Sequence, residues 1–482
     1  MKLLIMLMLF AFSWGGLIPV AAEEGEIPIT TSFPDALALF KQGRDLSERL
    51  RILEAIPYFE KAVARDPAFA MAYLSLANVQ TSPKEFFENI HRAAALVDKI
   101  SEGERLMILA TKARADNNPV QQKDYLEKLV GGYPKDKRAH VVFGGYLFGQ
   151  QDYASAITEL NKAADLAPDY SPAYNLLGYA YVRTGNYPEA EKAFRKYTQL
   201  IPGESNPHDS YAEFLMKMGK FDESIQEYQK SLAINPKFMA SYLGLGMDNI
   251  LKGNHYEAVR LYRRMYEFAP DDGTRQQALF AIVMTHVDQA KFARAVAEQN
   301  SNYELSRKRN DVAAMVADLG TLGDLLIEVG PPDQAKARYE KAKEIADKSD
   351  VSPGVKEVAD QLRLSGIVRV ALRTKDIAAA LAAAAEFRKA AERSKNPAFM
   401  QAYRQHAGMI ALEEKKFNDA LVELEKSDQR SPRTLFLLGQ AYAAKGNKQK
   451  AKEFFTKAAH FNEINMEFAF VRAKAKQSLA RY

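Results

Sequence analysis

The chain of 482 residues contains no cysteine. That absence removes disulfides, thiolate zinc sites, iron–sulfur clusters and cysteine nucleophiles together. Charge of one sign is scarce as well, since 66 Lys and Arg against 61 Asp and Glu leave only +5. Such a thin excess over this length disfavours a generic nucleic-acid binder. Histidines number seven, with no H-E-x-x-H and no His pair at helical spacing beside a third carboxylate, so no metal site is expected. A glycine-rich phosphate loop is also lacking: Gly144-Gly145 has no Lys-Ser or Lys-Thr behind it and reads as helix packing. Asp271-Asp272 and Glu413-Glu414 fall in or near turns, where solvated charge is the default. No catalytic residue, metal or cofactor is therefore assigned, and the chain is read as a non-enzyme. What is present is material to bury, with 47% hydrophobic and 26% charged residues. That balance fits three ordinary domains or one elongated array, and not a disordered chain.

The first segment reads as an address. Met1-Lys2 precedes an apolar run from Leu3 to Phe12, then Ser13-Trp14-Gly15-Gly16, then Pro19-Val20-Ala21-Ala22 ahead of Glu23-Glu24. A short positive start, an apolar stretch of about ten residues and small residues before an acidic start fit a secretory signal peptide. Cleavage after Ala22 is expected, leaving a periplasmic or secreted protein with a short linker over residues 23–33. The alternative is an uncleaved anchor, because Leu3 to Ala22 is about long enough to span a bilayer. Trp14 is the only tryptophan, so a cleaved protein would lack tryptophan emission.

Beyond it a period governs the chain. Pro134, Pro168, Pro202, Pro236 and Pro270 stand 34 residues apart, with Pro67 two periods upstream to within one residue. Fixed spacing of this size marks stacked supersecondary units. In the unit from Ser171, Tyr174, Leu177, Gly178 and Tyr181 lie at helical spacing, followed by Gly185, then Ala190, Ala193, Phe194 and Pro202. This predicts a helix, a turn and a second helix. Gly178 and Ala190 are small where the two helices come closest, and Leu177, Tyr181 and Phe194 fill the seam. Gly185 suits a left-handed residue just past a helix end, and Pro202 stops the second helix.

These positions resemble the tetratricopeptide repeat pattern, W-x-x-L-G-x-x-Y followed by A, F, A and P. Similar units run through Gly43, Ala55, Phe59, Ala62 and Pro67, through Gly144, Ala156, Leu160 and Ala163, and through Gly246, Gly253, Ala258 and Tyr262. The unit around Ala212 departs, with Ser224 and Ser231 in Ala places. The pattern returns at Leu322, Gly323, Ala335 and Tyr339, at Gly408, Ala420, Leu424 and Pro432, and at Gly439, Ala451 and Phe455. The resemblance implies an all-α, right-handed superhelical α-solenoid of about twelve helix hairpins. Residues 34–270 read as the regular array, 271–464 as a more divergent one, and 465–482 as a C-terminal capping helix. A hinge is expected at Asp271-Asp272-Gly273. His140 and His208 occupy the fourth position of their repeats and read as core.

In this family the first helix of each pair lines a concave groove. Carried over by position, the lining here is Val141, Gly145 and Phe148, then Asn175, Tyr179 and Val182. The next repeats contribute Asp209, Glu213 and Met216, then Leu243, Met247 and Ile250. The set is mostly apolar with one acidic step, unlike the Lys, Asn and Arg of members that grip carboxylate ends. It suits an amphipathic helix or an extended segment with apolar anchors; the alternative is that these residues are buried by neighbouring repeats. The expectation is thus an exported scaffold that holds a protein or peptide partner, with no nucleic acid, in envelope assembly or secretion. A second expectation is peripheral envelope association. From Gly446 onward Lys448, Lys450, Lys452, Lys457, Arg472, Lys474, Lys476 and Arg481 face only Glu453, Glu463 and Glu467, a basic end suited to an anionic polymer or membrane surface.

Overall fold

A computed structural model describes residues 19–20, 25–80, 83–116, 118–394, 397–463 and 465–482. The expected signal segment, apart from the backbone of Pro19–Val20, lies outside the described residues. Among them the chain forms 25 α-helices. The one pairing of strands joins β1 (Pro19–Val20) antiparallel to β2 (Ile29–Thr30). Two compact units divide at Tyr211 and Ala212.

The first unit holds five hairpins. They are α1 (Pro34–Glu48) with α2 (Ile52–Arg65), α3 (Ala70–Val79) with α4 (Pro83–Ala94), α5 (Glu102–Ala115) with α6 (Pro119–Gly132), α7 (Lys137–Gly149) with α8 (Tyr153–Leu166), and α9 (Ser171–Thr184) with α10 (Tyr187–Leu200). The division falls within α11 (Ser205–Lys217), and the next helix, α12 (Phe221–Ile234), is tied to it by the Ser224 hydroxyl, which donates to the Ala212 carbonyl at 2.8 Å. The second unit continues through α13 (Met239–Leu251) and α14 (His255–Phe268), α15 (Asp272–Asp288) and α16 (Phe292–Lys308), and α17 (Val312–Val329) and α18 (Pro332–Lys348). Then come α19 (Pro353–Arg373) and α20 (Ile377–Arg393), α21 (Pro397–Glu413) and α22 (Phe417–Glu425), α23 (Pro432–Ala444) and α24 (Lys448–Ala459), and a last helix, α25 (Met466–Leu479). Twelve hairpins and a terminal helix make an all-α solenoid.

The recurring residues act as their types dictate. Pro67, Pro134, Pro168, Pro202, Pro236 and Pro270 each lie just past the end of a second helix, where a missing N–H breaks no helical bond. Pro432 differs, for it opens α23 at its first turn, a place that suits its fixed φ. Gly185 is left-handed, with φ of +75°. Within the first unit, successive first helices pack on one another, α1 on α3, α3 on α5 and α7 on α9. The second unit repeats this, with α13 on α15, α17 on α19, α19 on α21 and α21 on α23. Among the described residues no adjacent pair of second helices packs as closely. Each unit therefore curves with its first helices inside.

After Pro270 the strict spacing is lost because the helices lengthen. Regular ones have 13 or 14 residues, whereas α15 has 17 and α19 has 21, an addition of about one turn or more. At the expected hinge, Asp271 caps α15 by accepting the Thr274 N–H at 2.7 Å. The Ala378 to Ala385 run lies in α20 and buries Ala380, Ala383 and Ala384 in one seam with Val368 and Ile410.

Candidate functional site

The inner helix row is the candidate site, and the sequence-predicted positions fall on it in two ways. In the first unit Val141, Phe148, Asn175, Tyr179 and Val182 are half-buried. Phe148 meets Tyr153 edge-on at 5.3 Å, and Tyr179 meets Phe194 likewise at 5.1 Å. The amide oxygen of Asn175 is buried with no hydrogen-bond partner among the described residues. Asp209 is buried and Glu213 exposed. In the second unit Met216, Met247 and Ile250 are buried in one cluster, with Leu243 packed against it.

What buries them is not a neighbouring repeat alone. The same cluster contains Phe468 and Phe470 of α25. That helix packs on α24, as a terminal cap would, and also on the inner helices α15 and α23. Phe470 stacks on Phe292 with ring centres 6.2 Å apart.

One buried cation fixes this helix. Arg472 reaches the carbonyl oxygens of Ile250 at 3.3 Å and Leu251 at 2.7 Å, at the C-terminal end of α13. The same guanidinium donates to both carboxylate oxygens of Asp288, at 3.0 and 2.7 Å, in the last turn of α15. Helix C-termini offer unpaired carbonyls and partial negative charge, so a guanidinium is the side chain that satisfies both at once. His255, the first residue of α14, completes the set, with Nε2 2.8 Å from Asp288. Burial alone would raise the Asp288 carboxyl, but the His255 hydrogen bond and the Arg472 charge hold it below its ordinary range.

Sequence reasoning missed this occupant. A signal was there: Arg472 lies four residues after Phe468 and three before Ala475, on the apolar face of α25, where a solvated Arg has no place. A second feature was also unread. His140 and His208 are core residues, yet each ring Nε2 lies within hydrogen-bonding distance of the carbonyl of the repeat proline six residues back, at 3.0 and 3.3 Å. The hydroxyls of Tyr174 and Tyr242 donate to the same carbonyls of their repeats at 3.1 and 3.0 Å. The fourth position thus ties each first helix to the preceding turn.

The basic C-terminal end carries less open charge than its residue count. Arg472 is buried on Asp288, Lys457 meets Glu453 at 2.6 Å and Lys474 meets Glu328 at 3.4 Å. Among the described residues no helix is long and apolar enough to cross a membrane.

In the first unit the inner row encloses a cavity of about 590 Å³. Its walls include Phe40 and Arg44 of α1, Met71 and Leu74 of α3, and Ile27 and Ile29 of the segment ahead of α1. That segment is tied down along its length, unlike a free linker. The Ile27 N–H donates to Asp136 at 2.9 Å, the Thr30 N–H to Glu104 at 2.8 Å, and the Thr31 hydroxyl to Asp66 at 2.6 Å.

Curved stacks of helical hairpins whose inner faces hold chain segments define a class of contact-making solenoids. The tetratricopeptide repeat family matches residues 40–82 and 141–205 in one form and 209–238 and 432–463 in another. These four segments are tetratricopeptide repeats. Among curated proteins it is 23% identical over 275 residues to a peroxisomal targeting signal receptor of Kluyveromyces lactis, covering 56% of this chain and 45% of the relative. To the DnaJ protein P58IPK homolog of Arabidopsis thaliana it is 22% identical over 241 residues, covering 44% of this chain and 50% of the relative. The chain thus spans half or less of the length of these relatives. A solved tetratricopeptide repeat protein from Parabacteroides merdae matches at TM-score 0.40 and 15% identity, over 54% of this chain and 98% of that one. MamA from Desulfovibrio magneticus matches at TM-score 0.32 and 17% identity, over 35% of this chain and 95% of that one.

Proposed function

We propose that the chain is an exported, non-catalytic scaffold that holds a protein partner on the inner face of its helical hairpins, in envelope assembly or secretion. One observation carries this reading: Met216, Met247 and Ile250 receive Phe468 and Phe470 of an amphipathic helix. A surface that binds a helix of its own chain through apolar anchors has the chemistry to bind one from another chain. Methionine suits such a surface because its unbranched side chain adapts to different knobs. The targeting receptor among the relatives is a protein-binding protein by its name, and its similarity lends the reading further support.

Export rests on the residues from Met1 to Ala22, and the partner-facing surface on the half-buried inner positions of the first unit. Val182 is half-buried on the inner helix α9. Changing Val182→Glu is therefore expected to abolish capture of the partner from envelope extract while leaving the circular dichroism spectrum intact. Capture that survives the change would count against the reading. The absence of tryptophan emission from the exported protein tests cleavage separately, because Trp14 is the only source.

A further inference from the structure

The first-unit cavity carries a charge that the fold does not use. Arg44 lines it with its guanidinium 5.5 Å from the centre of the Phe40 ring, and it forms no ion pair among the described residues. The carboxylate one turn further along α1 is already engaged: Glu48 accepts from Arg138 at 2.6 Å and from the Tyr170 hydroxyl at 3.3 Å. Asp136, also on the wall, is spent on the backbone N–H groups of Ile27, Arg138 and Ala139. Lys41 and Lys137 add two further cations to the lining, leaving Glu26 as the one acidic wall residue without such a tie. Burial, and then the neighbouring Arg138, make Arg44 a poorer proton holder than usual, and the opposing pull of Glu48 does not make up the difference.

Beside it lies a strand with one edge turned away from the protein. The Pro28 carbonyl accepts from the Ser101 hydroxyl at 3.0 Å and the Thr30 N–H donates to Glu104. Residues 28 and 30 therefore face α5, and in an extended chain the N–H and C=O of Ile29 face the opposite way. There the ladder pairs Ile29 with Val20. Removal of the chain up to Ala22 would vacate that edge. A residue placed opposite Ile29 shares its face of the strand, and Ile29 lines the cavity.

We infer that this cavity is a binding site for an extended acidic segment of a partner protein, which adds antiparallel to Ile29–Thr30 and places a carboxylate side chain at Arg44. The inference rests on the proposed function, including export with cleavage at Ala22. Backbone pairing supplies the alignment, the apolar walls take flanking aliphatic side chains, and Arg44 supplies the preference for charge.

The test uses the exported full-length mature chain and the blocked peptide acetyl-Ile-Glu-Val-Glu-Val-amide, with its glutamine analogue, so that no terminal carboxylate is present. Fluorescence anisotropy should show the acidic peptide binding at least tenfold more tightly, with the preference weakening as salt rises. Arg44→Ala and Arg44→Gln should each erase the preference, Arg44→Lys should retain part of it, and Lys192→Ala on the outer helix α10 should leave it unchanged. Equal binding of the two peptides, no binding of either, or a preference that survives both Arg44→Ala and Arg44→Gln would overturn the inference. Were that to happen while Val182→Glu still abolished partner capture, the proposed function would stand and this site alone would fall.

Discussion

A methyl group added to Gly178 would sit 2.6 Å from the ring of Phe194. The two residues are 16 apart in sequence, one on each helix of a hairpin, and the pairing recurs. Gly43 faces Phe59, Gly144 faces Leu160, Gly246 faces Tyr262, Gly323 faces Tyr339, Gly408 faces Leu424 and Gly439 faces Phe455, every one closer than 3.0 Å to a built methyl. The ring or Leu side chain occupies the volume where a Cβ would be, which brings the two helices together.

Gly178→Ala sets two effects against each other. Helix propensity favours Ala by up to about 1 kcal/mol, while overpacking a fully buried seam costs about 1–3 kcal/mol. Packing is expected to win, so the variant should unfold at lower urea. Gly145→Ala is the control, because a methyl there meets nothing within 4 Å, and it should raise stability by up to about 1 kcal/mol.

A second prediction concerns turns that lack glycine. Lys375 has φ of +60° between α19 and α20, in the place that Gly185 holds between α9 and α10. Left-handed geometry costs a residue with a Cβ about 1–2 kcal/mol. Lys375→Gly should therefore raise the urea midpoint, by about 1 kcal/mol once the extra freedom of the unfolded glycine is subtracted.

Arg472 is predicted to hold α25 in place. Removing it as Arg472→Ala leaves Asp288 buried beside His255 without its main counter-charge, a loss of about 3–5 kcal/mol for a buried pair broken on one side. Hydrogen exchange over residues 466–479 should accelerate strongly, while α9 and α10 of the first unit keep their protection. The Asp288 carboxyl is held low in the folded chain, so its contribution is present above the unfolded value of about 3.9 and is lost as pH falls through the lower folded value. Docking of α25 should accordingly weaken only in strong acid.

Asp248 has the opposite sign. It is fully buried in α13, and burial pushes its carboxyl up to about 7. A raised carboxyl stabilises the protonated fold, so its contribution is whole below the unfolded value of about 3.9 and drains away as pH rises to about 7, by about 1.4 kcal/mol per unit at most. Asp248→Asn should remove that slope. Urea midpoints of the two proteins should converge towards pH 4 and separate towards pH 7, with the variant the more stable at neutral pH.

Much of the fold was legible because it is local. Proline, glycine and aromatic positions repeat in phase, and each reports a contact within a single hairpin, such as Gly178 with Phe194. Where helices lengthen by a turn, as in α17 and α21, the same contacts persist at Gly323 and Gly408 while the spacing between repeats drifts. The site was legible only in part. Residue types on the inner row could be placed by the family's pattern, but Met247 shares its buried cluster with Phe468 across most of the second unit's sequence, and no periodicity records packing of that range. The ties from His140 and Tyr174 to the preceding proline carbonyls were hidden for a different reason. An imidazole and a phenol look unlike each other in a sequence, though both are bulky bodies with a hydrogen-bonding tip.

The most direct test places a photo-crosslinking amino acid at Val182, on the inner helix α9, and separately at Tyr187, exposed on the outer helix α10, in cells that export the protein. The account predicts a discrete crosslinked polypeptide from the inner position and none from the outer one. Crosslinks of equal yield from both positions, or none from Val182, would contradict it.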